Sequence, residues 1–507
     1  MLPFLLRISL VTISLACCAA TRSPSHVAPQ RTMLGDDVAA SQPPTNSRFE
    51  VDTPQLVSHS AVDPRAPTVG ICFSPRLSPS GRFVLFTCQS SDVVEGEPGI
   101  GDLIQSDSYD NANRGVGLDT EGQWGYCQGA ELGTCGSVGL VSDAAGQRAV
   151  FNSAAPLTPA AVQLIPGAGT PYVFLRDETA ETTALLTPPP TDEASPAYMH
   201  GTDASIERSE ILFTSVFNLT GGADSNGLAA DLYVRNWIDG TVELISAAPD
   251  GHQGDSDTGF GVFSPDGRYV AFLSSASNLT GDNPEHLFNL FLRDRYLHAT
   301  RRLTFPRGGG EFAASPFFST LRITNDGRLL FGASGANFVS GDDPSFQNLY
   351  LLNLNGGALT QLPLTLDGLP PNESVESGDI SDDGQRLIFV SAATNVASYG
   401  EVGVFLQDLA SGETVSVSTT LGPLARPAGS SPPVAEISSD GSTLAFEWPS
   451  FDALFPTLLD NQQIYRVAVR RSAPQRAQAV PGISNVWIGV CSLLILAACW
   501  GGLRGRH

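Results

Sequence analysis

One turn, repeated, constrains the fold of this chain more than any other feature. It reads Ser78-Pro79-Ser80-Gly81, and returns as Ser142-Asp143-Ala144-Ala145-Gly146 and Ser264-Pro265-Asp266-Gly267. It returns again as Thr324-Asn325-Asp326-Gly327, Ser381-Asp382-Asp383-Gly384 and Ser438-Ser439-Asp440-Gly441. A degenerate copy at Glu207-Arg208 is marked by the alternating run that follows it, Glu210–Ser215. The copies recur about every 60 residues, the period of a repeat built from one small sheet. A phenylalanine follows each turn at near-constant distance: Phe86, Phe151, Phe213, Phe272, Phe331, Phe389 and Phe446. Glycine supplies the positive φ of a tight hairpin, and the phenylalanine fits an inward position between neighbouring sheets.

Each copy offers four short strands. One precedes the turn and one follows it. A third reads like Asp231-Leu232-Tyr233-Val234-Arg235, and a fourth follows a turn such as Ile238-Asp239-Gly240. The seventh copy stops after its third strand, 464–469, and Gln55-Leu56-Val57-Ser58 at the other end of the body supplies the missing one. The expectation is an all-β, seven-bladed β-propeller of four-stranded antiparallel blades over residues 48–471, closed by an N-terminal strand. Closure removes the sheet edges that would otherwise pair with other chains.

Composition agrees and excludes some functions. The 51 Gly and 36 Pro of 507 residues suit many turns and short strands. The net charge of -24 argues against a nucleic-acid groove, and suits a solvated exterior or cation binding. All 28 basic residues are Arg, which leaves no lysine for Schiff-base chemistry.

The ends read as targeting segments. Residues 1–20 carry one early charge, Arg7, an apolar run and Cys18-Ala19-Ala20, the pattern of a secretory signal. Residues 21–47 are a Ser/Pro/Thr-rich flexible linker. Residues 472–482 form a second linker, 483–503 an apolar stretch long enough to cross a bilayer, and 504–507 a basic tail. The expected location is therefore outside the cytoplasm, with a single C-terminal membrane anchor before any processing. In that oxidising setting the four body cysteines read as two disulfides. Cys72 and Cys88 lie symmetrically about Ser80, so antiparallel strands place them opposite each other; Cys127 then pairs with Cys135.

The units SPDGRYVAF, NLTGDN and NLFLRDR resemble the WD40-like repeats of TolB-type propellers, over essentially the whole body. The resemblance implies the propeller fold and no single activity. The α/β domain of TolB itself is not found. Neither is the Gly-x-Ser-x-Gly elbow of the peptidases that carry such propellers. Val480-Pro481-Gly482-Ile483-Ser484, one span and an Arg tail resemble the C-terminal sorting signals read by exosortase-type systems in bacteria, the Ile-Pro-Thr-Leu-Ser variety among them. That resemblance implies a processing protease as a partner, with a permanent anchor as the alternative.

Two sets of candidate ligands fall on the face that carries the second-third loops and the connections between blades. Asp224, Asn226 and Asp231, with Asp282 and Asn289, and Asp342 and Asn348, place oxygen ligands after or beside a glycine in three successive blades. This is part of a calcium-loop pattern, without its closing Glu; Asx-turns explain the same residues. His200, His252 and His286 lie in neighbouring blades, and some TolB-like propeller lyases that cut acidic sugars use a His-ligated metal. The leading expectation is a non-catalytic binding or scaffolding module for a protein or polysaccharide ligand. The alternative is a metal-dependent polysaccharide lyase or hydrolase with its site at the propeller mouth.

Overall fold

The computed structural model describes residues 49–471 apart from 97–100, 126–136, 165–171, 189–198, 222–223, 311, 336, 366–368, 397–401, 422–432 and 450–461. The targeting segments, both linkers, Cys127 and Cys135 lie outside the described residues. Residues 51–469 form one compact unit. A second takes in 42–50 and 470–507, of which 49, 50, 470 and 471 are described, all as strand.

Seven antiparallel sheets make up the ring. Their innermost strands are Ile71–Leu77, Ser137–Ser142, Met199–Ser205, Thr258–Phe263, Phe317–Ile323, Val375–Ile380 and Ala435–Ile437, and they define blades 1 to 7. Blade 4 shows the plan: Thr258–Phe263, Tyr269–Ser274, Asn289–Asp294 and Ala299–Arg302 pair in that order. Blade 7 draws its outer strands from the N-terminal side. Gln55 and Leu56 pair with Arg466 and Tyr465, and Phe49–Val51 joins the same sheet.

The local chemistry explains the repeated turn. In blade 4 the Ser264 hydroxyl donates to Asp266 (2.6 Å) and accepts the N–H of Tyr269 (2.8 Å). Thr324, Ser381 and Ser438 make the same two bonds in blades 5, 6 and 7. The hydroxyl ties the turn across its base, while six glycines sit at φ between +66° and +78°. In the degenerate third copy the left-handed residue is Ser209 (φ +56°), one position after Arg208. A serine there accepts a strained backbone that the other copies give to glycine.

All seven phenylalanines are fully buried. Six pair with an aromatic ring on the third strand, with centroids 5.2–6.1 Å apart; blade 1 uses Ile104 instead. Opposite them, on the innermost strands, blades 2, 3, 4 and 6 carry Gly139, Gly201, Gly261 and Gly378. The reason is space. A Cβ on Gly378 would stand 2.6 Å from Leu349 of blade 5 and 2.7 Å from the Ile388 carbonyl. The core therefore runs between blades: one cluster joins Leu212 and Leu232 of blade 3 to Val270 and Phe272 of blade 4.

Cys72 and Cys88 form a disulfide across the first two strands of blade 1, as the spacing about Ser80 implied.

Candidate functional site

The innermost strands run from the face that carries the loops and inter-blade connections to the face that carries the glycine turns. We call these the loop face and the turn face. Six of the seven strands carry a register shift near their loop-face end. Such bulges re-aim side chains. In blade 5 the shift falls at Thr320, whose φ is +22°. On the loop face of blades 4 and 5 three large apolar side chains face solvent. Phe260 lies on the innermost strand of blade 4, Phe317 opens that of blade 5, and Phe305 lies on the connection between them. They are 38–47% exposed. The Arg302 guanidinium stacks on Phe305, 4.6 Å from its centroid. Phe260 and Phe317 thus lie at the mouth, on the innermost strands of adjacent blades, while Phe305 lies further out, beside the fourth strand of blade 4.

Lower down, one position per blade pairs with the residue preceding the conserved phenylalanine. These positions are Arg76, Val141, Asp203, Val262, Arg322, Asp379 and Glu436. By register they form a belt around the channel near the turn face, and five of the seven are charged. The carboxylates act as staples. Asp203 accepts the N–H of Phe263 in the next blade (2.8 Å), Asp379 that of Ile437 (3.1 Å), and Glu436 that of Leu77 (3.2 Å). Glu436 also pairs with Arg76, and Arg322 reaches Asp382 at 2.8 Å. Burial pushes the Asp203 and Glu436 carboxyls upward. The surrounding carboxylates hold both arginines firmly charged, Glu436 above all for Arg76. Beneath the belt the turns bond to each other, Asn325 N–H to Asp382 O (2.7 Å) and Asp382 N–H to Ser439 O (3.0 Å). The channel is thus aromatic at its loop-face mouth, and polar and cross-linked at its turn-face end.

The oxygen-rich loops are placed as expected on the loop face, but donors meet their carboxylates. Asp231 is fully buried and accepts from Ser246 Oγ (2.7 Å), Gln253 Nε2 (2.7 Å) and Asn226 Nδ2 (2.9 Å). Burial raises its pKa to about 6. Asp224 caps the N–H groups of Asn226 and Gly227. Asp342 accepts from Tyr350 OH, Asn348 Nδ2 and the Phe338 N–H. Asp282 accepts from Thr280, while Asn289 bonds to Asn283 and Thr304. His200 lies within the innermost strand of blade 3 rather than in a connection, and burial pushes its pKa down. His252 is exposed and paired with Asp250 (3.3 Å); His286 faces Asp255 at 4.0 Å. Among the described residues no group of three or more His, Cys, Asp or Glu is arranged to hold a metal ion.

The exposed phenylalanines and the belt went unread in the sequence. The belt had a signal: in six blades it lies two residues before the Ser or Thr at the head of the turn, and in five of those six it is charged. The exposed phenylalanines had none, because a phenylalanine that ends a strand or sits at a bulge reads like one in the core.

No family model matches the chain, and no curated protein matches it. Several solved structures are similar to it. TolB from Acinetobacter baumannii is 14% identical, with a TM-score of 0.37, covering 68% of this chain and 63% of that one. Oligogalacturonate lyase from Vibrio parahaemolyticus is 12% identical, with a TM-score of 0.48, covering 83% of this chain and 98% of that one. The β-propeller domain of the Trilobed protease from Pyrococcus furiosus is 10% identical, with a TM-score of 0.45, covering 81% and 98%. The chain therefore spans less than two thirds of the TolB structure.

Proposed function

We propose that the protein is an exported, membrane-anchored or surface-sorted binding module whose ligand, a polysaccharide, sits on the loop-face mouth of the channel. One observation carries the reading: Phe260 and Phe317 expose aromatic surface on the innermost strands of adjacent blades, at their loop-face ends. Exposed aromatic faces stack on the C–H faces of sugar rings, and rigid aromatic anchors dominate binding energy at small cost in side-chain entropy. The belt below is occupied in holding blades together, which favours binding over catalysis. Calorimetric titration of the protein with polygalacturonate, and with a neutral glucan, tests the reading. Binding of either should weaken at least tenfold in Phe260→Ala and Phe317→Ala with melting temperature unchanged. Binding that survives both substitutions would remove the mouth as the site. The competing reading, a metal-dependent lyase at the same mouth, requires stoichiometric transition metal that is lost in His252→Ala.

A further inference from the structure

Both chain ends leave the ring at one face. The last strand of blade 7 runs down to the glycine turn, where the Val469 N–H meets the Ser442 carbonyl (2.7 Å), next to Gly441. The incoming chain lies beside it, with the Asp52 N–H on the Ala468 carbonyl (3.0 Å). Residues 472–482 reach at most about 40 Å fully extended before the apolar stretch 483–503 begins. A span at 483–503 would therefore be tethered to the turn face by at most that length of chain.

The same face carries exposed apolar side chains, two of them tyrosines on which arginines stack, Arg82 on Tyr109 (4.2 Å) and Arg268 on Tyr296 (5.9 Å). The hairpins joining third and fourth strands end there, and their tips present Tyr109, Ile238, Tyr296 and Leu297, each 64–82% exposed. Those of blades 3 and 4 are fixed side by side, because Arg295 bonds to Glu243 (2.9 Å) and Glu210 (2.8 Å). Ile238, Tyr296 and Leu297 thus project from two rigidly joined hairpins. Beside them a cleft of about 350 Å³ opens between blades 4 and 5, lined by Leu292, Leu297, Ile323 and Leu354. Leu354 stands in blade 5 where Arg295 stands in blade 4: in both, the backbone N–H bonds into the turn, to the Gly327 and Arg268 carbonyls respectively.

We propose that the turn face rests on a lipid surface, with Ile238, Tyr296 and Leu297 entering its interfacial layer and the loop-face mouth turned away from it. Tyrosine and branched aliphatic side chains are the residue types that settle at that depth. Asp239 at one tip and the net charge of -24 select neutral, zwitterionic lipid over anionic lipid. The inference rests on the reading of 483–503 as a span, and goes beyond it by assigning the orientation of the ring.

The test is hydrogen exchange on the full-length chain, reconstituted in phosphatidylcholine vesicles and, separately, in detergent. Exchange at residues 237–240 and 295–298 should slow at least fivefold in vesicles. The loop-face segment 225–229, with its exposed Leu228, should not change. Ile238→Ser with Leu297→Ser, both at exposed positions, should restore the detergent rate without changing the melting temperature. Equal tip exchange in vesicles and detergent, while the chain floats with the vesicles, overturns the docking and leaves the anchor standing. Failure to float removes the anchor and the proposal together. Slow tip exchange already in detergent, with a doubled mass, overturns it in favour of a second copy of the chain.

Discussion

Glu436 of blade 7 reaches Arg76 of blade 1 across the seam where the ring closes, and with its other oxygen accepts the Leu77 N–H. The seam is thus held by a nearly buried carboxylate as well as by the N-terminal strand. Removing one partner of such a pair strands the other, and for fully buried pairs this costs about 3–5 kcal/mol. Arg76 borders the channel and keeps part of its side chain in water, which lowers the cost. Glu436→Ala should destabilise the ring by about 2 kcal/mol in urea unfolding. Arg76→Ala in the same background should add little, because the interaction is already gone. Full additivity in that double-mutant cycle would show that the two residues act independently.

The seam also sets a pH dependence. Glu447 is buried between blades 7 and 1 and accepts from the N–H groups of Ser74 (2.6 Å) and Val434 (3.0 Å) and from Gln462 (2.6 Å). Its charged neighbours are Arg76 and Glu436. Burial outweighs the donors and raises its pKa to about 7. The folded state therefore holds this proton more tightly than the unfolded chain, and stability falls as pH rises from about 4.5 to 7. Asp231, raised to about 6, acts in the same direction. The lowered carboxyls, such as Asp107 and Asp294 beside Arg82 and Arg268, lose their stabilising charge only in more acid solution. The melting temperature should be higher at pH 5 than at pH 8, with Glu447 contributing on the order of 3 kcal/mol. Glu447→Gln should flatten that slope; an unchanged slope would assign it to other groups.

Gly378 tests the inter-blade packing. A Cβ there meets both a neighbouring leucine and a backbone carbonyl, and the carbonyl cannot turn aside. Overpacking of this kind costs about 1–3 kcal/mol. Gly378→Ala should lose about 2 kcal/mol by chemical denaturation. Gly240→Ala, at an open hairpin tip with φ +76°, should lose about 1 kcal/mol from backbone strain alone. Equal losses would mean that the Gly378 contact relaxes.

The architecture was legible because its signals are local and repeated. Each Ser-x-Asp-Gly turn encodes its own hydroxyl bridge, each phenylalanine its burial, and the short seventh copy its need for Gln55 and Leu56. The Cys72–Cys88 pairing followed from symmetry about one turn. The site was not legible in the same way. Asp231 and Asp342 read as ligands because the oxygens are visible in the sequence, while the donors that meet them are not. Gln253 lies 22 residues from Asp231. Phe260 and Phe317 look like core residues; a register shift at Phe260 and the strand end at Phe317 place them at the solvent edge.

Calcium at the loop of Asp224 can be tested directly. Both oxygens of Asp231 already accept side-chain donors, so a cation there would rely on Asp224 and backbone carbonyls. With so few charged ligands, any calcium bound there would be held at about 10⁻⁴–10⁻³ M, the range of extracellular modules. At 5 mM calcium the resulting stabilisation is about 1–2 kcal/mol. The expected outcome is a melting temperature a few degrees higher in 5 mM calcium than in EDTA, with the difference lost in Asp224→Ala. Magnesium should not reproduce it, because a loop of exposed, loosely placed oxygens does not offer the near-ideal octahedron that magnesium demands. A wild-type melting temperature indifferent to 5 mM calcium would assign Asp224 to its Asx-turn alone, capping Asn226 and Gly227.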